Sequence, residues 1–245
     1  MAKREERWRR LETPLDTVNR SGYIAFRSST IQLMKLFLFL LLSLALLSLP
    51  QRLVAGTVSL TDGRSFHGWV GDTNKTWRIE DGAFVGGSLK EKIPQNEFLR
   101  TERSYTNFVL QVKFKLVGTA AGGFINGGVQ VRSQPAKHPP NEMVGYQCDM
   151  GDGWWGALYD ESRRNKVLTK PDPKAVEQAL KRDAWNTYVI RCEGNKIRTW
   201  INGVDMINYT ETDESLPQYG LIGLQVHAGG PTEASYKDIT IQELP

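Results

Sequence analysis

Three short segments each carry a pair of polar side chains two residues apart: residues 128–132 (GVQVR), 146–150 (YQCDM) and 223–228 (GLQVHA). Their alternation of apolar and polar residues predicts β-strands, in which every second side chain points to the same face. If the three strands are neighbours in one curved sheet, the polar pairs line a single groove. The alternative is that each pair only faces water. The pairs are Gln130 with Arg132, Gln147 with Asp149, and Gln225 with His227.

The third pair is the most informative of the three. His227 is one of only three histidines, and the neighbouring Gly223, Gly229 and Gly230 leave room for a ligand to approach closely. The sequence therefore predicts a ligand-binding groove that is lined by the polar residues of the three strands.

The sequence requires no cofactor. Its three histidines, His67, His138 and His227, share no metal-ligand spacing, and there is neither a G-x-S-x-G elbow nor a Gly-rich phosphate loop before a helix. The alternative is a divalent metal held by Asp149 and His227.

A second polar patch covers residues 151–166 (GDGWWGALYDESRRNK). Trp154 and Trp155 can form a platform on which a sugar ring stacks, or they can be core anchors, which we expect for one of the two. Tyr159, Glu161 and Arg163 are further candidates for substrate binding. Asp160, Glu161, Arg163 and Arg164 can form a loop charge network or a substrate clamp. As a run of charges alone, this segment would be interpreted as solvated surface.

The elements that must position these residues are mostly strands. Alternating patterns over residues 108–117, 186–193, 196–201, 204–210, 221–228 and 235–244 are separated by turns such as Asn202-Gly203, a strong hairpin signal. One short helix is predicted, capped by Asp172, with Pro173 in its first turn and an end near residue 182. The pattern predicts an all-β fold, a two-sheet antiparallel sandwich or jelly roll.

Charge excludes nucleic acid as a good partner. The chain has 245 residues, with 31 Lys and Arg, 27 Asp and Glu, and a net charge of +4. Residues 1–55 hold nine basic and four acidic groups, a net of +5, so the other 190 residues carry a net of −1. A duplex-binding domain needs a cluster of Lys and Arg, which this part lacks.

The N-terminal segment is typical of an export signal. Residues 36–49 are 14 consecutive uncharged residues, nine of them Leu, which is too short for a membrane span of roughly 20 residues. We expect translation to start at Met34, residues 1–33 to be an over-extended gene start, and residues 34–55 to be a signal peptide cleaved after Ala55. An uncleaved anchor is the alternative. The domain at residues 56–245 would then lie in the periplasm or outside the cell, with no stable membrane span.

Export would place the domain where disulfides can form. Cys148 and Cys192 are the two cysteines available, and each lies in a strand-like segment. They can form one bridge if their strands face each other closely, or they can be two buried thiols.

Residues 59–87 carry a resemblance to a known family. The segment resembles the start of the bacterial 3-keto-disaccharide hydrolase domain family, which has a concanavalin A-like jelly-roll fold. The similarity continues through residues 126–132 (NGGVQVR), 156–159 (GALY), 202–203 and 223–227 (GLQVH), and covers nearly all of residues 56–244. The family's usual Glu-x-Gln before the GALY turn is replaced by Gly145-Tyr-Gln-Cys-Asp149, so both the substrate and the activity can differ from those of the family. The residues that match at the start are Leu60, Asp62, Gly63, Gly68, Trp69, Trp77, Glu80, Asp81 and Gly82, with Thr61 in place of the usual Phe.

The resemblance implies a hydrolase for glycosides whose sugar carries a ketone at C3. That ketone acidifies the C2 hydrogen, so a base can remove it, the C1 substituent departs by elimination, and water adds back.

On this hypothesis Asp149 or His227 is the general base or acid and Arg132 stabilises the enolate, so these three are the predicted catalytic residues. His227 has the side chain best matched to proton transfer near neutral pH. Gln147 and Gln225 would orient hydroxyl groups, Gln130 is a further candidate for substrate binding, and Glu161 and Tyr159 are reserve candidates for the acid. The alternative from another class is a non-catalytic, lectin-like carbohydrate-binding module, since one fold serves several functions. A purely structural interaction domain is a third possibility.

Overall fold

The computed structural model describes residues 56–118 and 123–245. The expected gene start and signal peptide lie outside the described residues. Within them, strands account for nearly all regular structure. The strands are β1 (Val58–Ser59), β2 (Trp69–Val70), β3 (Trp77–Glu80), β4 (Ala83–Ile93), β5 (Glu97–Thr101), β6 (Phe108–Gly118), β7 (Asn126–Pro135), β8 (Met143–Gly151), β9 (Leu158–Glu161), β10 (Lys166–Thr169), β11 (Asn186–Glu193), β12 (Lys196–Ile201), β13 (Val204–Thr210), β14 (Leu221–Val226) and β15 (Gly229–Glu243).

These strands form two antiparallel sheets. The first has the order β13-β12-β11-β6-β15-β4-β3, with β1 paired to β15, and the second has the order β10-β9-β8-β7-β14-β5-β2. Apolar side chains from both sheets form one core, in which β6 contributes Phe108, Leu110, Val112 and Phe114 on one face. The expected class, an all-β two-sheet jelly-roll sandwich with one short helix, is confirmed.

Strict alternation predicted the hairpin strands well. Strands β11, β12 and β13 have the expected bounds, and Asn202 and Gly203 between β12 and β13 both have positive φ, as a two-residue type I′ turn requires. The last two strands differ from the predicted strands at residues 221–228 and 235–244. Strand β14 ends two residues earlier, at Val226, and β15 begins six residues earlier, at Gly229. The first residues of β15, GGPTEA, pair with β4 although they carry no clear alternation.

The helix α1 (Pro173–Ala179) is shorter than expected. Asp172 caps it through a hydrogen bond that its side chain accepts from the backbone N–H of Lys174. The helix stops before residue 182 because the backbone of Leu180 is extended. The Asn186 side chain then binds the next residue, since its Oδ1 accepts from the backbone N–H of Lys181 and its Nδ2 donates to the Lys181 carbonyl oxygen. None of the described helical structure is long and apolar enough to cross a membrane.

The two cysteines lie in different sheets, Cys148 on β8 and Cys192 on β11, and both are buried free thiols. Burial raises the pKa of the Cys148 thiol well above its usual range and that of Cys192 to about 12. The structure therefore contains the second of the two arrangements expected, with the thiols as small core side chains.

Candidate active site

A cavity of about 190 Å³ opens on the face of the second sheet that turns away from the core. Strands β8 and β9 and the ends of β7 and β14 supply its walls. Six of the predicted site residues are therefore brought together: Gln147, Asp149, Trp154, Tyr159, Glu161 and His227. The lining residues are Phe124, Asn126, Gln147, Asp149, Trp154, Tyr159, Glu161 and His227.

A row of buried amides supports the floor of the cavity. The register places Gln130 opposite Gln147, and Gly128 opposite both Asp149 and Gln225. Gln130 Nε2 donates to Gln147 Oε1 at 3.3 Å, and Gln147 Nε2 donates to Asp149 Oδ1 at 2.9 Å and to Gln225 Oε1 at 3.1 Å. All four side chains are buried, so this network fixes the Asp149 carboxyl group.

Gly128 makes room for the network. A Cβ atom at this position would lie 2.8 Å from Cγ of Gln147, closer than such atoms approach in folded proteins. The Gln147 amide can reach Asp149 and Gln225 because β7 has no side chain at this point.

We expect Gly128→Ala to displace the Gln147 amide and to lower the free energy of unfolding by about 1–3 kcal/mol, because it overpacks the floor. Urea denaturation measures this change. In a Gln147→Ala background the same substitution should cost less, since the clashing group is gone. Equal costs in the two backgrounds would show that Gln147 is not what Gly128 accommodates.

The two carboxyl groups of the cavity hold protons more tightly than usual. Burial, together with the charge of Glu161, raises the pKa of Asp149 to about 8, although the hydrogen bond from Gln147 acts in the opposite direction. Burial and then the charge of Glu142 raise the pKa of Glu161 to about 7. At neutral pH Asp149 is therefore mainly protonated and can donate a proton or a hydrogen bond.

His227 is held in one tautomer. Its Nδ1 lies 2.6 Å from the carbonyl oxygen of Ala228, and since a carbonyl only accepts, Nδ1 carries the hydrogen. In the neutral ring Nε2 is then the nitrogen that can take up a proton. The backbone N–H of His227 donates to Asn126 O at 3.1 Å. The Phe124 ring packs edge to face against the imidazole, with 5.0 Å between the ring centroids.

Arg132 does not reach the cavity, so its expected place beside Asp149 and His227 is wrong. The pairing of β7 with β8 shifts register between Val131 and Gln134, and Arg132 has a φ of +50°. The side chain therefore leaves the face of Gln130. Its buried guanidinium donates to the carbonyl oxygens of Thr106 and Gly194, the amide oxygen of Gln218, and Asn107 Oδ1.

Two residues of the segment 151–166 also lie away from the cavity. Arg163 pairs with the buried Asp160 at 2.8 Å and its guanidinium lies 4.5 Å from the centre of the Tyr146 ring, so it is not among the residues that line the cavity. Trp155 stacks on Phe114 at the core and Trp154 lines the cavity, which matches the expectation that one of the two is a core anchor. Asp160 on β9 points opposite to Tyr159 and Glu161, is buried, and pairs with both Arg163 and Arg164, whereas the pair of Asp152 with Arg182 is exposed.

Two lining residues, Phe124 and Asn126, were missed by the sequence reading. Asn126 begins β7 and shares the face of Gly128 and Gln130, so extending the alternation two residues toward the N-terminus would have found it. Phe124 precedes the strand in a connection, where no periodicity points to it. Among residues 56–118 and 123–245, no group of three or more His, Cys, Asp or Glu side chains is arranged to hold a metal ion.

Solved structures share this architecture. A proposed glycosyl hydrolase from Parabacteroides distasonis is 19% identical over 78% of this chain and 94% of its own, with a TM-score of 0.56. The carbohydrate-binding module CBM66 from Bacillus subtilis is 15% identical over 72% of this chain and 96% of its own, with a TM-score of 0.54. At these identities the likeness shows the fold alone.

Sequence comparison adds the family. No curated protein sequence matches the chain. The family model described as the 3-keto-alpha-glucoside-1,2-lyase-like domain matches residues 56–242, which include both sheets and every residue of the cavity. The chain therefore belongs to the 3-keto-alpha-glucoside-1,2-lyase-like domain family.

Proposed function

We propose that the domain cleaves 3-keto-glycosides by removing the C2 proton, eliminating the C1 substituent and adding water to the product. The observation that carries this proposal is the meeting of three proton-transfer groups in one cavity: a histidine with a free Nε2 and two carboxyl groups whose pKa values are raised to about 8 and about 7. Family membership and the carbohydrate-related structural neighbours support the substrate class.

In the first step, His227 Nε2 takes the C2 proton and the electrons of the C2–H bond move to the C3 oxygen. A neutral Asp149 carboxyl donates a hydrogen bond to that enolate oxygen, in place of the expected Arg132. A carboxylic acid kept protonated by burial is suited to this, since it adds no negative charge beside the enolate.

In the second step, the enolate electrons reform the C3 ketone, a C1–C2 double bond forms, and the C1–O bond breaks. Glu161 protonates the departing oxygen, because its pKa of about 7 leaves a large protonated fraction near neutral pH. Water then adds to C1 and gives one proton to Glu161, while the imidazolium of His227 returns a proton to C2. The sum is hydrolysis, and both residues end in their starting states.

The test is release of 4-nitrophenol from 4-nitrophenyl 3-keto-α-D-glucoside, compared with the parent 3-hydroxy glucoside. We expect cleavage of the ketone alone, with deuterium at C2 of the product in D₂O, because the parent has no acidic C2 hydrogen. Equal cleavage of both compounds would show an ordinary glycosidase mechanism. Saturable binding without release, measured by calorimetry, would instead support a carbohydrate-binding module.

We also propose that the domain acts in the periplasm or outside the cell, on the basis of the uncharged segment at residues 36–49. Expression of the chain from Met34 in a bacterial host should give a periplasmic protein whose N-terminus, read by mass spectrometry, is Gly56. A version that lacks residues 34–55 should stay in the cytoplasm. Retention of the leader on membrane-bound protein would show an uncleaved anchor.

A further inference from the structure

A second cavity opens on the first sheet, on the other side of the core from the candidate active site. Its volume is about 260 Å³, larger than the about 190 Å³ of the active-site cavity. Strand β15 shows which face it occupies, because its side chains that line the cavity alternate with Ala234 and Tyr236, which belong to the core. We call this cavity the outer cleft. It is lined by Glu80, Asp81, Ala83, Val85, Lys115, Trp185, Glu233, Ser235 and Lys237.

Short side chains form the floor of the outer cleft. The strand register places Val85 of β4 opposite Ser235 of β15, and Ser235 opposite Lys115 of β6. Ala83, one turn of the alternation before Val85, lies on the same face. Since longer side chains stand on both sides of these three small residues, the sheet surface forms a depression that crosses β4 and β15.

One wall of the outer cleft combines an aromatic ring with two ammonium groups. Trp185 immediately precedes β11, and its side chain is partly exposed. The Nζ atom of Lys237 lies 4.3 Å from the centre of the Trp185 ring, and that of Lys115 lies 5.3 Å from it. Within the described part of the chain neither lysine is in an ion pair, whereas Lys113 on the same sheet pairs with Asp238 at 2.7 Å. This wall therefore presents N–H donors beside an indole.

The opposite wall presents acceptors that are fixed in position. Arg78 Nε donates to Glu80 Oε2 at 2.9 Å, and Arg78 Nη2 donates to Glu233 Oε1 at 2.7 Å. The same guanidinium donates to Gly87 O at 2.9 Å, so it holds both carboxylates against the edge of the sheet. Each carboxylate has a second oxygen that can accept a hydrogen bond from a ligand.

This arrangement of charges suits a neutral ligand with many hydroxyl groups. An anion in the outer cleft would lie beside Glu80 and Glu233, and a cation would lie beside the two lysines. A sugar hydroxyl can accept from an ammonium group and donate to a carboxylate, so it can use both walls. A pyranose ring also has an apolar face, which can pack on an indole as other flat apolar surfaces do.

We propose that the outer cleft is a second carbohydrate-binding site, which takes a neutral pyranose unit of a glycan chain with its apolar face on Trp185. The volume of about 260 Å³ lies just below the roughly 300–1,000 Å³ of pockets for drug-sized ligands, as is suitable for one or two units of a longer chain. No residue that lines the outer cleft also lines the active-site cavity. The inference is therefore independent of the proposed reaction.

The experiment is isothermal titration calorimetry of the purified protein with two neutral trisaccharides, cellotriose and maltotriose. We expect at least one of them to bind, and Trp185→Ala to raise its Kd about 10-fold because the stacking surface is lost. Lys237→Met should raise the Kd about 3–10-fold, since methionine keeps the apolar contact with the indole but cannot donate a hydrogen bond.

Two control variants locate the binding. Trp200→Ala removes a partly exposed indole that lies on β12 of the same sheet, 5.2 Å from the Arg198 guanidinium and outside the outer cleft, and should leave the Kd unchanged. Trp154→Ala removes an aromatic wall of the active-site cavity and should also leave it unchanged. Loss of binding in Trp154→Ala, with Trp185→Ala like the wild type, would place the sugar in the active-site cavity and contradict the inference.

Three further results would overturn it. The first is that neither trisaccharide binds at millimolar concentration. The second is an unchanged Kd in Lys237→Met and in Trp185→Ala at an unchanged melting temperature; if Trp185→Ala does not fold, Lys237→Met alone decides. The third is binding of inorganic phosphate that Lys237→Met abolishes, without binding of either trisaccharide, which would identify an anion site. Each result is read from binding, so it holds whether or not 3-keto-glycosides are cleaved.

Discussion

The His227→Gln variant is expected to fold normally and to lose about 10²–10⁴-fold in the rate of cleavage of the 3-keto-glucoside. Glutamine has a similar length and can still donate to the Ala228 carbonyl oxygen, but it cannot take up the C2 proton. Because His227 is only partly buried and its ring contacts Phe124 at the rim, the substitution leaves the core intact. Single-turnover kinetics measure the loss, and exchange of the C2 hydrogen in D₂O should fall with it.

A matched control is available in His67, which is exposed on the connection between β1 and β2. His67→Gln should retain full activity. If His227→Gln keeps more than about a tenth of the rate, the base lies elsewhere and Glu161 is the next candidate, since its pKa of about 7 leaves it partly ionised. A Glu161→Gln variant that lost C2 exchange would then assign the base to that residue.

Alternation predicted the parts of the site that lie on regular strands. Gln147 and Asp149 share a face because they are separated by one residue in an unbroken ladder. His227 lies one residue beyond β14, where its backbone N–H still donates to Asn126 O, and its side chain lines the same cavity. The same reasoning failed for Arg132, where a register shift and a positive φ break the alternation after Val131. The sequence around this point (VRSQP) contains no Gly to mark the irregularity, so the rule for regular strands placed the side chain on the wrong face.

The contacts made by connections were the least predictable. Phe124 and Glu142 act on the site from the segments before β7 and β8, and their positions depend on tertiary contacts such as the Asn96 hydrogen bonds to Glu142 and to the backbone N–H of Ala228. Local sequence carries no signal for such contacts. Of the arrangements expected for the charges at the end of β9, the structure contains the loop charge network, in which Asp160 pairs with Arg163 and Arg164. Its further partner Glu211, which binds Arg164, was not predicted because it is 47 residues away in the chain.

A buried acid at the centre of the site has a thermodynamic cost that depends on pH. Asp149 has an ordinary pKa of 3.8 in the unfolded chain and a pKa of about 8 in the folded protein. The folded state therefore binds the proton more tightly, so this contribution to stability is complete below about pH 4 and is lost as pH rises to about 8. Glu161, with its raised pKa of about 7, adds a loss of the same sign.

Asp149→Asn should therefore stabilise the protein at alkaline pH while it slows cleavage. An amide keeps the acceptor for Gln147 Nε2 and cannot ionise, so at pH 9 the variant avoids a cost of up to about 6 kcal/mol, and at pH 4 the two proteins should be nearly equal in stability. Urea denaturation at both pH values measures the difference, with Asp205→Asn, at an exposed position of β13, as a control that should follow the wild type. If the free energy of unfolding changed equally with pH in Asp149→Asn and in the wild type, Asp149 would ionise as easily in the folded protein as in the unfolded chain. Asp149 could not then serve as the neutral donor to the enolate. A stability gain confined to high pH, together with slower cleavage, is the combined result expected of an acid that the fold keeps protonated for the reaction.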